Sequence, residues 1–387
     1  MEEEEDLNRL IRELNAGADP SVEPIVGERS ASLELADPRL DRWLSDLVAR
    51  QGSDLLLVAD SPPGIRRDGR ILLLEEERLT GAEIERAVLP ALPLHARRLY
   101  TARSAADCAL KREGRRFRVN LHRERGRAAA AIRALPASPP ELSSLGLPES
   151  ATRLARLPRG LVLVAGPTGS GKTTTLAALV DEINRHDARH IVTIEDPIEY
   201  EHAHRKSLVE QIEIGGDAPD FASALRAAMR QAPDVLVIGE MRDPETMAIA
   251  LSAAETGHLV FSTVHTSDVA GAVARLADSF PPERQNTIRQ EIAMALAAVL
   301  SQHLLPRAGG RGRVAAAELF LVAYGARQHI RKNALQHLHQ EITLSRKAGS
   351  VTLEDSLATL VRSGTVERDE AVARANHPEE LEALLRR

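Results

Sequence analysis

The stretch that decides the fold is Gly166-Pro167-Thr168-Gly169-Ser170-Gly171-Lys172-Thr173, which has the form G-x-x-x-x-G-K-[ST] of a phosphate-binding loop. The apolar run 160–165 before it predicts a buried strand, and apolar residues at helical spacing after it predict a helix. Backbone N–H groups and the positive end of the helix dipole would then face the phosphates. We expect Lys172 to reach the β- and γ-phosphates and Thr173 to bind Mg²⁺. The eight loop residues and the adjacent Thr174 therefore form the predicted nucleotide site.

Composition narrows the class of protein. The chain has 387 residues, of which 43% are hydrophobic, so cores for two or three domains are expected. Aromatic residues are only 2% and the net charge is −6, which disfavours a nucleic-acid-binding protein. The single cysteine, Cys108, excludes an internal disulfide and a multi-cysteine zinc site. The acidic start and the lack of a membrane-length apolar run predict a soluble, cytoplasmic protein without a transmembrane segment.

Patterns along the chain divide it into five regions. Residues 1–36 are an acidic extension, expected to be flexible apart from a short amphipathic helix near 7–14. Residues 37–135 predict a mixed α/β domain that begins with a helix capped by Asp37. The proline-rich segment 136–148 predicts a linker. Residues 149–322 predict a second domain and residues 323–387 a helical C-terminal region.

The second domain alternates strands and helices, which predicts a parallel sheet. Its expected strands are 161–165, 191–195, 235–239 and 259–265. The apolar residues between Ile288 and Leu304 predict one helix that is buried on all sides. The fold class is therefore α/β throughout, with a parallel-type sheet around the loop.

Candidate catalytic groups stand at the ends of these strands. Glu199 follows the second strand, Glu240 follows the third, and His258 and His265 bracket the fourth. Open α/β sheets bind ligands at the carboxyl ends of their strands. Hydrolysis of ATP needs a group that positions water and ligands for Mg²⁺. Glu199 and Glu240 can supply these functions.

Four segments now resemble a known family, the secretion-superfamily ATPases of type II secretion and type IV pili. In chain order they are similar to its Walker A motif, Asp box, Walker B motif and His box: GPTGSGKTTTLAAL (166–179), IVTIEDPIEY (191–200), DVLVIGEMRDPET (234–246) and TGHLVFSTVHTSD (256–268). Within the family the short chain resembles the PilT/PilU-like retraction ATPases. Assembly and secretion members carry long N-terminal domains, and many carry a four-cysteine zinc insertion.

The resemblance implies roles for individual residues. Glu199 would activate the attacking water, and Glu240 would act at Mg²⁺, largely through water. His265 would sense the γ-phosphate, with His258 as its partner in the His box. Arg118 and Arg125 would be presented to the nucleotide by a hairpin of the N-terminal domain.

The resemblance also implies an architecture and partners. It implies a PAS-like N-terminal domain, a RecA-like P-loop domain, and a homohexameric ring with ATP bound between the two domains. An inner-membrane pilus platform protein would be the partner, which places the ring at the inner face of the cytoplasmic membrane.

Several alternatives stay open on the sequence alone. The segment Gly325–Ile330 matches the retraction-specific C-terminal motif imperfectly, so an assembly or secretion ATPase and an accessory retraction paralogue remain. A nucleotide-gated regulatory protein is disfavoured by the presence of both Glu199 and Glu240. A nucleic-acid translocase is disfavoured by the net charge and the low aromatic content.

Overall fold

A computed structural model describes residues 37–310 and 312–386. The predicted extension 1–36, including the candidate helix at 7–14, lies outside the described residues. The described chain contains two β-sheets, one in each half, with a helical region at the end.

The first sheet has six strands in the order β3-β2-β1-β6-β5-β4, and every neighbouring pair is antiparallel. Its strands are β1 (Asp54–Leu57), β2 (Gly64–Arg67), β3 (Arg70–Leu73), β4 (Ala105–Arg112), β5 (Arg115–Glu124) and β6 (Arg127–Ala134). Helices α1 (Pro38–Ala49), α2 (Gly81–Val88) and α3 (Leu94–Arg103) accompany it. As predicted, Asp37 caps α1, and its carboxylate accepts the Arg39 N–H at 2.9 Å. Trp43 is fully buried in the core beneath this sheet.

The second sheet has seven strands in the order β13-β12-β7-β11-β10-β8-β9, and only the β12–β13 pair is antiparallel. Its strands are β7 (Gly160–Ala165), β8 (His190–Glu195), β9 (Leu208–Glu213), β10 (Val235–Ile238), β11 (Leu259–Val264), β12 (Leu296–Pro306) and β13 (Arg313–Leu321). Its helices are α4 (Lys172–His186), α5 (Phe221–Ala228), α6 (Pro244–Thr256), α7 (Val269–Asp278) and α8 (Pro282–Ala295). Strand β7 is buried at every position, because the sheet is covered on both faces.

The predicted single helix from Ile288 to Leu304 is wrong. Helix α8 ends at Ala295 and the chain continues as β12, which pairs with β7 on one side and β13 on the other. A segment without regularly spaced polar residues is compatible with both a buried helix and a central strand. The pattern of apolar residues therefore does not distinguish between the two structures. Hydrogen bonding to β7 on one side and to β13 on the other decides the outcome in favour of the strand.

The segments outside the sheets are short helices. Two 3-10 helices, Leu142–Leu145 and Glu149–Arg156, lie between the sheets, and Leu142 packs into the core of the second sheet. The C-terminal region contains α9 (Tyr324–Arg331), α10 (Leu338–Leu344), α11 (Leu353–Arg362), α12 (Arg368–Arg374) and α13 (Pro378–Leu385), with two further 3-10 turns at Leu335–His337 and Arg346–Ala348. Among the described helices, none has the length and apolar character needed to cross a bilayer. The predicted domain boundaries remain predictions.

Candidate functional site

The phosphate-binding loop joins β7 to α4, as the sequence predicts. Gly166, Gly169 and Gly171 all have positive φ, at 147°, 79° and 91°. A side chain is tolerated poorly in these conformations, so the glycines permit the turn. Gly171 stands at the N-cap of α4 and has no side chain to occupy the first N–H groups of the helix. These groups are therefore available to an anion.

Lys172 lies folded over the loop that precedes it. Its Nζ donates to the carbonyl oxygens of Gly166 at 2.8 Å and Pro167 at 3.0 Å. Burial lowers the pKa of Lys172, and the nearby Glu240 carboxylate opposes this shift. The ammonium is thus held at the mouth of the loop, where phosphate oxygens would replace the two carbonyls.

Gln302 of β12 supports the loop from the neighbouring strand, and sequence reasoning missed it. Its amide Nε2 donates to the Ser170 carbonyl, and its Oε1 accepts from the Thr175 hydroxyl at 2.8 Å. The side chain is buried. Because residues 296–304 were expected in a helix, no signal in the sequence placed Gln302 beside the loop.

The segment after β8 carries three carboxylates. Glu195 accepts from the Thr193 hydroxyl at 2.7 Å and from the Gln211 amide at 3.2 Å, and burial raises the pKa of Glu195. Burial also raises the pKa of Asp196. Glu199 follows and is half-buried. The carboxylates therefore differ in environment, and the two nearest the strand hold protons more tightly than free carboxyl groups.

Tyr200 ties this segment to the loop. Its hydroxyl lies 3.0 Å from the hydroxyl of Thr174, in the first turn of α4. Since Glu199 is the residue directly before Tyr200, this hydrogen bond holds Glu199 close to the phosphate end of α4. The sequence prediction that the Asp box and the loop meet is consistent with this contact.

Glu240 and His265 lie at the same edge of the sheet. Glu240 follows β10, is largely buried, and forms an ion pair with Arg242, with an Nε–Oε2 distance of 2.7 Å. His265 follows β11, the strand between β10 and β7. Burial lowers the pKa of His265, the Lys172 ammonium lowers it further, and Glu240 opposes both effects. The charges of Lys172 and Glu240 are therefore both close enough to His265 to change its pKa.

The first sheet contributes arginines to this edge. The ion pair with Asp107 raises the pKa of Arg118, with smaller contributions from the carboxylates of Glu199 and Asp196. The pair is bidentate, with an Arg118 Nη2 to Asp107 Oδ2 distance of 2.7 Å. Arg118 thus faces the Asp box, in a position from which it could exchange Asp107 for a phosphate oxygen.

Arg116 makes the direct contact between the sheets, and sequence reasoning assigned it no role. Its guanidinium binds Glu213 at 2.8 Å, Glu201 at 3.2 Å and the Ile198 carbonyl at 3.1 Å. Lys111 adds an ion pair to Glu201 at 2.9 Å. Alternate residues of β5 therefore turn toward the Asp box from the first sheet.

The structure does not bring His258 and Arg125 to the loop of their own chain. The His258 carbonyl accepts from the N–H of Gly160, at the start of β7, while the loop follows the end of that strand. Six residues of strand, about 20 Å, lie between them. Arg125 occupies the exposed β5–β6 turn, seven residues from Arg118, which is roughly 23 Å along a strand.

The arrangement suits phosphoryl transfer more than other chemistry. Lys172 and the open end of α4 supply positive charge, and Glu199, Glu240 and Asp196 supply oxygen ligands or a base beside it. Thr173, the first hydroxyl in α4, and Glu240 are the side chains suited to hold Mg²⁺, which prefers oxygen ligands. This set of donor groups fits a nucleoside triphosphate with its metal ion.

Comparison with known proteins identifies the family of this chain. The family model for type II/IV secretion system proteins matches residues 109–381. The twitching motility protein of Neisseria gonorrhoeae is 39% identical over 84% of this chain and 87% of its own. The type IV pilus retraction ATPase PilT of Pseudomonas aeruginosa is 40% identical over 86% and 96%, respectively.

A solved structure has the same fold. The crystal structure of the pilus retraction motor PilT with bound ADP superposes with a TM-score of 0.81 at 40% identity and covers 89% of this chain and 98% of that one. The predicted fold, an N-terminal mixed α/β domain followed by a RecA-like domain, is therefore confirmed. On its motifs, its fold and the length of the match, this chain belongs to the type II/IV secretion system protein family.

Proposed function

We propose that this chain is an ATP-hydrolysing motor of a type IV pilus system, that it acts as a homohexamer, and that it drives pilus retraction. The observation that carries the proposal is the joint placement of the loop, Glu199, Glu240 and His265 at one edge of the second sheet, with Arg118 facing them. Relatives named for twitching motility and for pilus retraction match more than four fifths of the chain. The similar crystal structure holds ADP.

ATP binds with its phosphates in the loop 166–173. The loop N–H groups and α4 bind the phosphate oxygens, and Lys172 leaves the Gly166 and Pro167 carbonyls to reach the β- and γ-phosphates. The Thr173 hydroxyl and, through water, Glu240 would hold Mg²⁺. When bound, Mg²⁺ neutralises charge that develops on the phosphates.

Hydrolysis needs a base for the attacking water and positive charge around the γ-phosphate. Glu199 orients the water and takes up its proton. Arg118 releases Asp107 and binds the transferring group, where a guanidinium matches phosphate geometry. His265 has a lowered pKa and stays neutral near pH 7, so it can hydrogen-bond the phosphate and report its loss.

The Arg116 contact couples chemistry to movement. It joins the first sheet to the segment that carries Glu199, so a change at the nucleotide is transmitted to the N-terminal half. Closure of one half on the other around ATP would be the power stroke. In a hexamer Arg125 and His258, which lie away from their own loop, face the nucleotide of an adjacent copy.

The enzymatic part is tested by steady-state ATPase assays on the full chain. We expect Lys172→Ala and Glu240→Gln to lose on the order of a hundredfold or more in kcat, since each removes a group that acts on the transition state. Glu245→Gln is the matched control, because Glu245 lies nearby on α6 but pairs only with the exposed Arg226. If the wild type hydrolyses ATP no faster than either site variant, the proposal that this chain is a motor ATPase is refuted. Light scattering after gel filtration, with and without ATP, tests the hexamer.

The direction of movement is tested in the source organism. A deletion strain that is hyperpiliated and does not twitch, and is restored by the wild-type gene, supports retraction. Bald cells would instead assign assembly. Cell fractionation of the complemented strain, in the presence and absence of the pilus platform protein, tests the proposed membrane-associated location and partner.

A further inference from the structure

Three helices of the C-terminal region bring metal-ligand atoms together, far in sequence from the nucleotide site. His339 comes from α10, Glu354 from α11 and Glu380 from α13. One ligand atom from each residue lies within 4.8 Å of the other two. A cluster of this kind is not evidence by itself, because exposed acidic groups often meet without an ion.

Glu354 provides the second observation. Its side chain is fully buried, at 0% exposure. One carboxylate oxygen, Oε1, accepts the backbone N–H of His377 at 2.8 Å. The other, Oε2, has no hydrogen-bond partner among the described residues. A carboxylate without compensation is costly to bury, so an unpartnered oxygen at full burial indicates that a ligand is missing from the arrangement.

The neighbouring cations do not compensate Glu354. Arg346 lies 3.4 Å from the other carboxylate, Glu380, and its main ion pair is with Asp355 at 2.8 Å. His339 Nε2 lies 2.8 Å from Glu380 Oε2. The positive charge of Arg346 is thus directed at Glu380 and Asp355. Among the described residues, the only hydrogen-bond donor to the Glu354 carboxylate is the neutral backbone N–H of His377.

A second imidazole lies next to the cluster. The ring of His377 lies beside that of His339, with ring centroids 4.0 Å apart. The backbone N–H of His377 also donates to Glu354. The cluster itself offers one imidazole and two carboxylates.

We propose that His339, Glu354 and Glu380 form a Zn²⁺ site, with the neighbouring His377 imidazole as the candidate fourth ligand. Imidazole and carboxylate ligands without a thiolate are a recognised zinc set, whereas Mg²⁺ and Ca²⁺ take oxygen ligands. Bonds of about 2.1 Å in a tetrahedron place ligand atoms about 3.4 Å apart. The observed cluster reaches this spacing through small side-chain movements, with the His339–Glu380 hydrogen bond replaced by two bonds to the metal.

The site is structural. It connects α10, α11 and α13 at a place where the apolar core is small. Helices α12 and α13 each contribute one buried apolar residue to that core, Ala371 and Leu381. A divalent cation would neutralise Glu354 and Glu380 at once and fix the last helix to the body of the chain. Its affinity would also contribute directly to the stability of this region.

The test uses the untagged full chain, treated with chelator and free of nucleotide. Zn²⁺ binding is measured by competition with a chromophoric chelator, and Co²⁺ is added in a parallel experiment for its visible absorption. We expect one Zn²⁺ to bind per chain with high affinity. We also expect the visible absorption spectrum of bound Co²⁺ to indicate a low coordination number. We expect His339→Gln, Glu354→Gln and Glu380→Gln each to weaken Zn²⁺ binding by roughly tenfold or more, because each removes a ligand.

His329→Gln is the matched control. His329 lies 3.5 Å from Glu341 and forms a histidine–carboxylate pair in the same region, but it is outside the cluster. Its variant should bind Zn²⁺ as the wild type does. The variants at His339 and Glu380 change half-exposed side chains, so they keep the test decisive should the buried Glu354 variant fold poorly. A wild-type chain that binds no Zn²⁺ at micromolar concentration, or cluster variants that bind as tightly as His329→Gln, would overturn the proposal.

Discussion

Replacement of Arg116 by alanine should uncouple the N-terminal half of the chain from the segment that carries Glu199. Arg116 Nη2 lies 2.8 Å from Glu213 Oε2, and both side chains are only 15% exposed. The same nitrogen donates to the Ile198 carbonyl at 3.1 Å, and Nη1 binds the more exposed Glu201. Removal of the guanidinium leaves Glu213 with the Ile198 N–H but no cation.

The size of the effect follows from these contacts. A hydrogen bond to a charged group contributes about 1.5–3 kcal/mol when it is largely shielded from water. The exposed bond to Glu201 adds less than about 1 kcal/mol. We therefore expect Arg116→Ala to lower the free energy of unfolding of the N-terminal half by about 2–4 kcal/mol.

This loss of stability can be measured through the fluorescence of the single tryptophan, Trp43. Trp43 is buried in the core of the first sheet, so its fluorescence follows unfolding of that half. Urea unfolding should give a lower midpoint for Arg116→Ala with an unchanged slope. Lys111→Ala is the control, because Lys111 binds only Glu201 and both side chains are well exposed. We expect its effect to stay within about 0.5 kcal/mol. Equal midpoints for the two variants would refute the assignment of Arg116 as the link between the halves.

Three further predictions concern stability and reactivity. In urea unfolding, Gly166→Ala should destabilise the chain by about 1–3 kcal/mol more than Gly169→Ala. Both glycines have positive φ, but of the two only Gly166 would place a Cβ against backbone, 2.5 Å from the carbonyl oxygen of Gln302. Equal losses of stability would contradict this. Burial raises the pKa of Glu318 to about 8, so the folded state binds the proton more tightly than the unfolded state, and stability should fall as pH rises from about 4.5 to 8. Glu318→Gln should flatten that part of the stability–pH curve, and a variant curve parallel to the wild type would exclude Glu318 as the cause. Burial raises the pKa of Cys108 to about 12, so a thiol reagent at pH 8 should label it only after unfolding, and rapid labelling of the native chain would show that the thiol is accessible.

The nucleotide loop was predictable because its chemistry is local. Eight consecutive residues fix the turn, and apolar periodicity on either side fixes the strand and the helix. The four parallel strands β7, β8, β10 and β11 were predictable for the same reason, since each is a short apolar run bounded by turn residues. Carboxyl ends of parallel strands meet at one edge, which is why Glu240 and His265 could be expected near the loop.

The failures share a cause. Strand β12 was expected as part of a helix, because a fully buried apolar run has no periodicity that separates the two structures. The support that Gln302 gives to the loop was missed with it.

By itself, the sequence determined that a glycine-rich loop of phosphate-binding form joins a strand to a helix, because those residues interact with near neighbours. Only the tertiary structure decided that Gln302 braces the loop and that Arg116 links the two halves. It also decided that His339, Glu354 and Glu380 converge. These contacts join residues that are between 15 and 132 positions apart, and they depend on which elements become neighbours. Short-range patterns do not contain that information, since packing of whole elements against each other sets it.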